Sequence, residues 1–174
     1  MSRTIHVDLF SPSSIDAAIR ELRDYQKWVE QKTVELRERI AYFIAKDASA
    51  VFNTATADDL IGEGVVTGNV EVTVNNDGDI SLVIANGKDA VFMEFGAGIY
   101  HNGSVGSSPN PLGEGLGYTI GSYGENGAKE AWGFYGDDGE LHLTRGVPAS
   151  MPLYNAVTAI RNELVDIARE VFST

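Results

Sequence analysis

The chain has 174 residues, no cysteine, and 13 Lys and Arg against 25 Asp and Glu, a formal net charge of −12. Its length fits a single domain over residues 1–174, and a chain of this size buries about 70% of its extended-chain surface without a covalent staple. The missing cysteines exclude thiol nucleophiles, disulfides and thiolate zinc sites, and leave the redox compartment open.

The placement of charge narrows the function further. Residues 1–50 hold 8 bases and 8 acids, so the remaining 124 hold 5 and 17. An acidic surface repels phosphate backbones, which argues against gripping DNA with a basic patch. The same repulsion suits a wall that DNA slides past, and it also serves plain solubility. The first ten residues carry one Arg and no sustained apolar run, unlike a secretory signal. The longest apolar run, Ile40 to Ala45, is far short of the ~20 residues of a membrane span. The chain is expected to be soluble and made in the cytoplasm.

In chain order, residues 1–12 read as an extended arm or short edge strand, with Ile5, Val7 and Leu9 alternating against His6 and Asp8 and ending at Pro12. Ser13 or Ser14 is the expected cap of a long helix, with Asp16 in its first turn. Ile15, Ile19, Leu22, Val29, Leu36, Ile40 and Phe43 follow at spacings of three, four or seven, one apolar stripe interrupted by Gln26 and Thr33. Asp16 with Arg20 and Glu35 with Arg39 are spaced as helical ion pairs. The helix is expected to end near Phe52 or Asn53. At some 40 residues it would be about 60 Å long, so it must bend or pack on another subunit.

A polar connection, Asn53 to Gly64, leads to a hairpin. Val70, Val72 and Val74 alternate with polar residues, Ile80, Leu82 and Ile84 alternate with Ser81, Val83 and Ala85, and Asn76-Asp77-Gly78 supplies the turn. After Asn86-Gly87 comes Ala90-Val91-Phe92-Met93-Glu94-Phe95-Gly96-Ala97-Gly98. It is compact and closed by Gly-x-Gly, which predicts a short helix, with a strand as the alternative.

From Ile99 to Gly146 the character changes: this stretch holds 12 of the 19 glycines. A second hairpin is predicted inside it, Ala131 to Tyr135 and Glu140 to Arg145 around Gly136-Asp137-Asp138-Gly139, with Trp132, Phe134, Leu141 and Leu143 available for packing. The remainder, about 99–130, is expected to be a mobile assembly or binding loop. Ser150 is the cap candidate of a last helix, with Pro152 in the first turn. Leu153, Val157, Ile160, Leu164, Ile167 and Val171 step four, three, four, three, four, giving a stripe that can cover the hairpin or pair with the first helix.

Catalytic constellations are sparse. His6, His101 and His142 stand in no metal-ligand spacing. Glu94, His101 and Glu114 could form a metal or acid/base site, but for Glu94 a carboxylate capping local backbone or bridging subunits is the preferred reading. Gly113-Glu114-Gly115-Leu116-Gly117 lacks the Lys-Ser/Thr of a phosphate loop, and its carboxylate opposes phosphate. Ser104, Ser107 and Ser108 have no Gly-x-Ser-x-Gly frame. Aromatic residues of the loop have too few bases beside them for nucleic acid.

Two short motifs carry a resemblance. Glu94-Phe95-Gly96-Ala97-Gly98 ends an apolar segment, and Gly146-Val147-Pro148-Ala149-Ser150-Met151-Pro152 precedes the last helix. In this order, separated by a glycine-rich insertion, they resemble the minor tail component and head-tail joining (neck, tail-completion) family of long-tailed, lambda-like phages and prophages.

The resemblance implies a non-enzymatic virion protein that forms a homo-oligomeric ring around the DNA path. Its neighbours would be head-connector and tail proteins, with no cofactor, metal or membrane partner. Glu94, Phe95, Gly96, Gly98, Trp132, Phe134, Gly146, Pro148 and Pro152 would be its assembly loop and hinges. The expected fold is α+β: a long N-terminal helix, an antiparallel sheet of hairpins, a C-terminal amphipathic helix packed on the sheet, and the glycine-rich insertion. A metal-dependent hydrolase built on Glu94, His101 and Glu114, or a monomeric ligand-binding module, stands as the alternative.

Overall fold

A computed structural model of the chain describes residues 4–54, 70–87, 89–96, 108–113, 132–135, 138–144 and 148–173. The fold is α+β: α1 (Pro12–Phe52), β1 (Glu71–Asp77), β2 (Ile80–Asn86), α2 (Ala90–Phe95), β3 (Trp132–Tyr135), β4 (Leu141–Thr144) and α3 (Pro152–Ser173). The hairpins make two separate two-stranded antiparallel sheets.

The arm does not pair as a strand among its described residues 4–10, and it turns into α1 two or three residues earlier than the sequence suggests. Ser11 is the cap: its Oγ accepts from the Ser14 amide at 3.4 Å, while Pro12 opens the helix where no N–H is required. Ser14 instead accepts from the Asp8 amide at 2.9 Å. This moves Asp16 out of the first turn, which holds no acid. Arg39 pairs not with Glu35 but with Glu170 of α3 at 2.6 Å, and Glu35 takes Lys32 at 2.9 Å. The interrupting polar residues satisfy themselves within the helix, Thr33 donating to the Val29 carbonyl and Gln26 to Glu30.

α3 runs antiparallel along the C-terminal part of α1. Its end touches Trp28 through Phe172, with ring centroids 5.7 Å apart and edge-on at 78°, and its start joins Ala48 and Phe52 through Ala156. The predicted stripe is rotated: Ala156, Ile160, Ile167 and Val171 are buried, whereas Val157 and Leu164 are exposed. The core gathers Ala48, Phe52, Val70, Ala90, Met93 and Ala156, with Val72, Ala85 and Leu153 against it, so α3 meets the sheet at this end.

The first hairpin turns at Gly78-Asp79, one step later than predicted, with Asp77 opposite Ile80 and Gly78 at φ +53°. The register pairs Val72 with Ala85 and Val74 with Val83. These smaller side chains face α1, where Arg37 donates to Ser81 at 3.1 Å. By the two-residue period of a strand, the larger row of Ile80, Leu82 and Ile84 then faces away, and all three are exposed.

Among the described residues, α1 outruns the elements packed on it. From Pro12 to Trp28 the helix extends about 24 Å past its contact with the end of α3. Ala18 is buried there, but Ile15, Ile19, Leu22 and Tyr25 are exposed.

Candidate functional site

The site begins with α2, the short helix that the compact apolar segment predicts. It is closed by Gly96, whose φ of +80° is a conformation that side-chain-bearing residues avoid and whose N–H reaches the Phe92 carbonyl at 2.7 Å. Met93, Glu94 and Phe95 on its inner face are buried.

The Met93 carbonyl receives the amides of Ser150 at 2.9 Å and Met151 at 3.2 Å, together with the Ser150 hydroxyl. Ser150 is therefore a tether to α2, not the cap of α3. The helix starts one residue later: the Met151 carbonyl takes the Asn155 amide, and Met151 itself sits at φ +51° with no capping oxygen in its side chain.

Glu94 fills that role from another helix. Its Oε2 accepts from the Leu153 amide at 2.8 Å and its Oε1 from the Tyr154 amide at 3.0 Å. With Pro152 first in the helix and lacking an N–H, these are the two amides that a side-chain cap normally satisfies. The carboxylate also lies at the positive end of the α3 dipole. Asn110 Nδ2 adds a third hydrogen bond to Oε1 at 2.8 Å, and both residues are buried.

Asn110 belongs to a turn, residues 108–113, inside the stretch expected to be a mobile loop. These six residues are instead fixed to α2. Ser108 donates to the Phe95 carbonyl, Asn110 Oδ1 accepts the Leu112 amide at 3.0 Å, and Gly113 lies so close that a Cβ there would meet the Asn110 carbonyl at 3.2 Å. The prolines Pro109 and Pro111 around Asn110 were the available signal for a rigid turn. Its buried partner 16 residues upstream was not readable from spacing.

A cavity of about 520 Å³ opens beside the junction between α2 and α3, lined by Val91, Phe95, Leu112 and Val157, with Tyr154 and Arg161 among its polar groups.

Of the predicted assembly residues, Glu94, Phe95, Gly96 and Pro152 come together at this junction. Pro148 lies exposed just before it. Trp132 and Phe134 lie in β3, and their side chains, with Gly98 and Gly146, fall outside the described residues. So do the polar connection from residue 55 on, the loop outside 108–113, and the His101 and Glu114 of the hydrolase alternative.

In the second hairpin, His142 Nε2 lies 3.1–3.2 Å from both carboxylate oxygens of Asp138. The Glu140 amide and then His142 hold the Asp138 carboxyl below its ordinary value. No group of three or more His, Asp or Glu that could hold a metal exists among the described residues, and no helix among them is long and apolar enough to cross a membrane.

Chemically, the junction joins three distant segments through one carboxylate whose two oxygens accept three hydrogen bonds. That is the chemistry of a fixed splice in the fold. Comparison with protein-family models, curated proteins and solved structures finds no match.

Proposed function

We propose that the chain is a non-enzymatic structural subunit of a phage or prophage particle, a head-tail joining or tail-completion protein that assembles with its own copies into a ring around the DNA path. The observation that carries this reading is the contact between its two motifs. Glu94 of the first motif caps the helix that Pro152 of the second begins, 58 residues further on. Segments recognised separately in sequence thus form one rigid junction in space.

The surface is consistent with assembly. A helix about 60 Å long projects past its partners with an exposed apolar stripe, and the first hairpin turns its larger apolar row outward. The acidic excess after residue 50 would keep passing DNA from adhering. Head-connector and tail proteins would be the neighbours. The protein would be made in the bacterial cytoplasm and end in the virion.

Gene neighbourhood tests the reading directly. Capsid, connector and tail genes on both sides are expected, together with the chain in purified particles by mass spectrometry. A metabolic operon and absence from particles would contradict it. Metal analysis separates it from the hydrolase alternative, because one tightly held transition metal per chain would favour the enzyme.

A further inference from the structure

We infer that copies of this chain join head to tail, the projecting half of α1 from one copy lying across the outer face of the β1–β2 hairpin of the next. This deepens the proposed function and rests on its claim of self-assembly.

Both surfaces are apolar and open. On the helix, Ile15, Ile19, Leu22 and Tyr25 step four, three, three, which places them on one face, and Leu22 is 56% exposed. On the hairpin, Ile80, Leu82 and Ile84 form one row, with Leu82 50% exposed. The row is about 13 Å long at strand rise and the stripe about 15 Å at helical rise, so one covers the other without overhang.

Charge opposes the pairing of two hairpin faces. The hairpin has Glu71, Asp77 and Asp79 and no Lys or Arg over residues 71–86. Glu71 and Asp77 share the face of the apolar row, since they pair with Asn86 and Ile80 in the same register set as Leu82. Two such faces opposed would set carboxylates against carboxylates.

Beside the helical stripe, Arg20, Arg23 and Lys27 follow at spacings of three and four along one flank, preceded by Asp16. None of these three bases makes an ion pair with another described residue. A helix-on-sheet contact brings this basic flank to the acidic rim.

Because stripe and row occupy different parts of one subunit, the contact is heterologous. It repeats from copy to copy, giving a closed ring or an open filament, and it covers both faces in every interior copy. A two-fold dimer through either face would leave the other bare in both partners.

A complementation experiment reads the contact. Leu22→Glu disables the stripe and keeps the row; Leu82→Glu does the reverse. By analytical ultracentrifugation each variant alone should fall to the monomer mass, and an equimolar mixture should give a species of twice the chain mass that grows no further. The far-UV circular dichroism spectrum of each variant must match wild type; if it does not, Leu22→Gln and Leu82→Gln replace the two variants.

An assembled wild type with either variant still forming the full assembly overturns this contact alone and leaves the ring reading standing. So does a Leu82→Glu dimer, which would mean stripe on stripe, or a Leu22→Glu dimer, which would mean row on row. A monomeric wild type overturns both.

Discussion

Glu94 Oε2 accepts the amide of Leu153 at 2.8 Å across 59 residues of sequence, so the last helix is capped from outside its own segment. The local sequence at its start, Ser150-Met151-Pro152, has a hydroxyl one position too early and a methionine where the cap belongs. The long-range carboxylate compensates for both.

Removing the carboxylate should therefore cost more than removing an ordinary surface cap. Glu94→Ala leaves two helix amides without their side-chain acceptor and Asn110 Nδ2 with only its longer 3.4 Å bond to the Glu94 carbonyl, and should lower stability by about 2–4 kcal/mol. Glu94→Gln keeps one acceptor oxygen and should lose less than the alanine variant. Urea denaturation of the two variants checks the order; an alanine variant as stable as wild type would show that water replaces the cap freely.

Asn110→Ala should cost about 1–2 kcal/mol, because it removes a buried donor to Glu94 and the acceptor of the Leu112 amide. For the same reason, excising residues 100–128 should destabilise the isolated chain and not merely prevent its incorporation. A melting temperature unchanged by that excision would show that the turn of residues 108–113 contributes nothing to the junction.

Phe95 is 7% exposed and lies against the Gly113 turn. Phe95→Ser should destabilise by about 3–4 kcal/mol. A neutral result in thermal melting would place the ring in solvent.

Met151 is a non-glycine residue at φ +51°. A β-branched side chain tolerates that conformation worst, so Met151→Ile should lose about 1–2 kcal/mol despite conserving volume. Met151→Gly, which relieves strain while giving up side-chain contacts, should stay within about 1 kcal/mol of wild type. Equal losses for the two would remove the backbone explanation.

The Asp138 carboxyl, held below its ordinary value of 3.8 by the Glu140 amide and by His142, has a depressed folded-state pKa. Its contribution to the second hairpin is complete above the unfolded value and is lost as pH falls through the lower folded value. An NMR titration should place the midpoint below 3.8, and His142→Ala should move it part of the way back, since the Glu140 amide remains. A midpoint unmoved by His142→Ala would exclude the histidine as a cause.

Local chemistry made the elements legible. The stripe of α1, the Asn-Asp-Gly turn chemistry and the clean periodicity of α3 each declare their element within a few residues. The short helix at Ala90–Phe95 also follows from its compact apolar run and terminal glycines, whereas Glu94, expected to cap local backbone or bridge subunits, caps amides 59 and 60 residues away. What periodicity did not decide was orientation. Alternation in β2 offers two faces, and only packing of Val83 and Ala85 against α1 sends Ile80, Leu82 and Ile84 outward. The α3 stripe likewise rotated toward Ala156, because a small residue allows close approach to Ala48 and Phe52. Nor could spacing reveal Asn110, whose role exists only once α2 and the turn are side by side.

The central claim is assembly into a ring, and native mass spectrometry of the purified wild-type chain with negative-stain imaging tests it most directly. The account predicts one dominant closed species of many chains with an open centre. A strict monomer across the accessible concentration range, or a closed two-fold dimer that grows no larger, would contradict it.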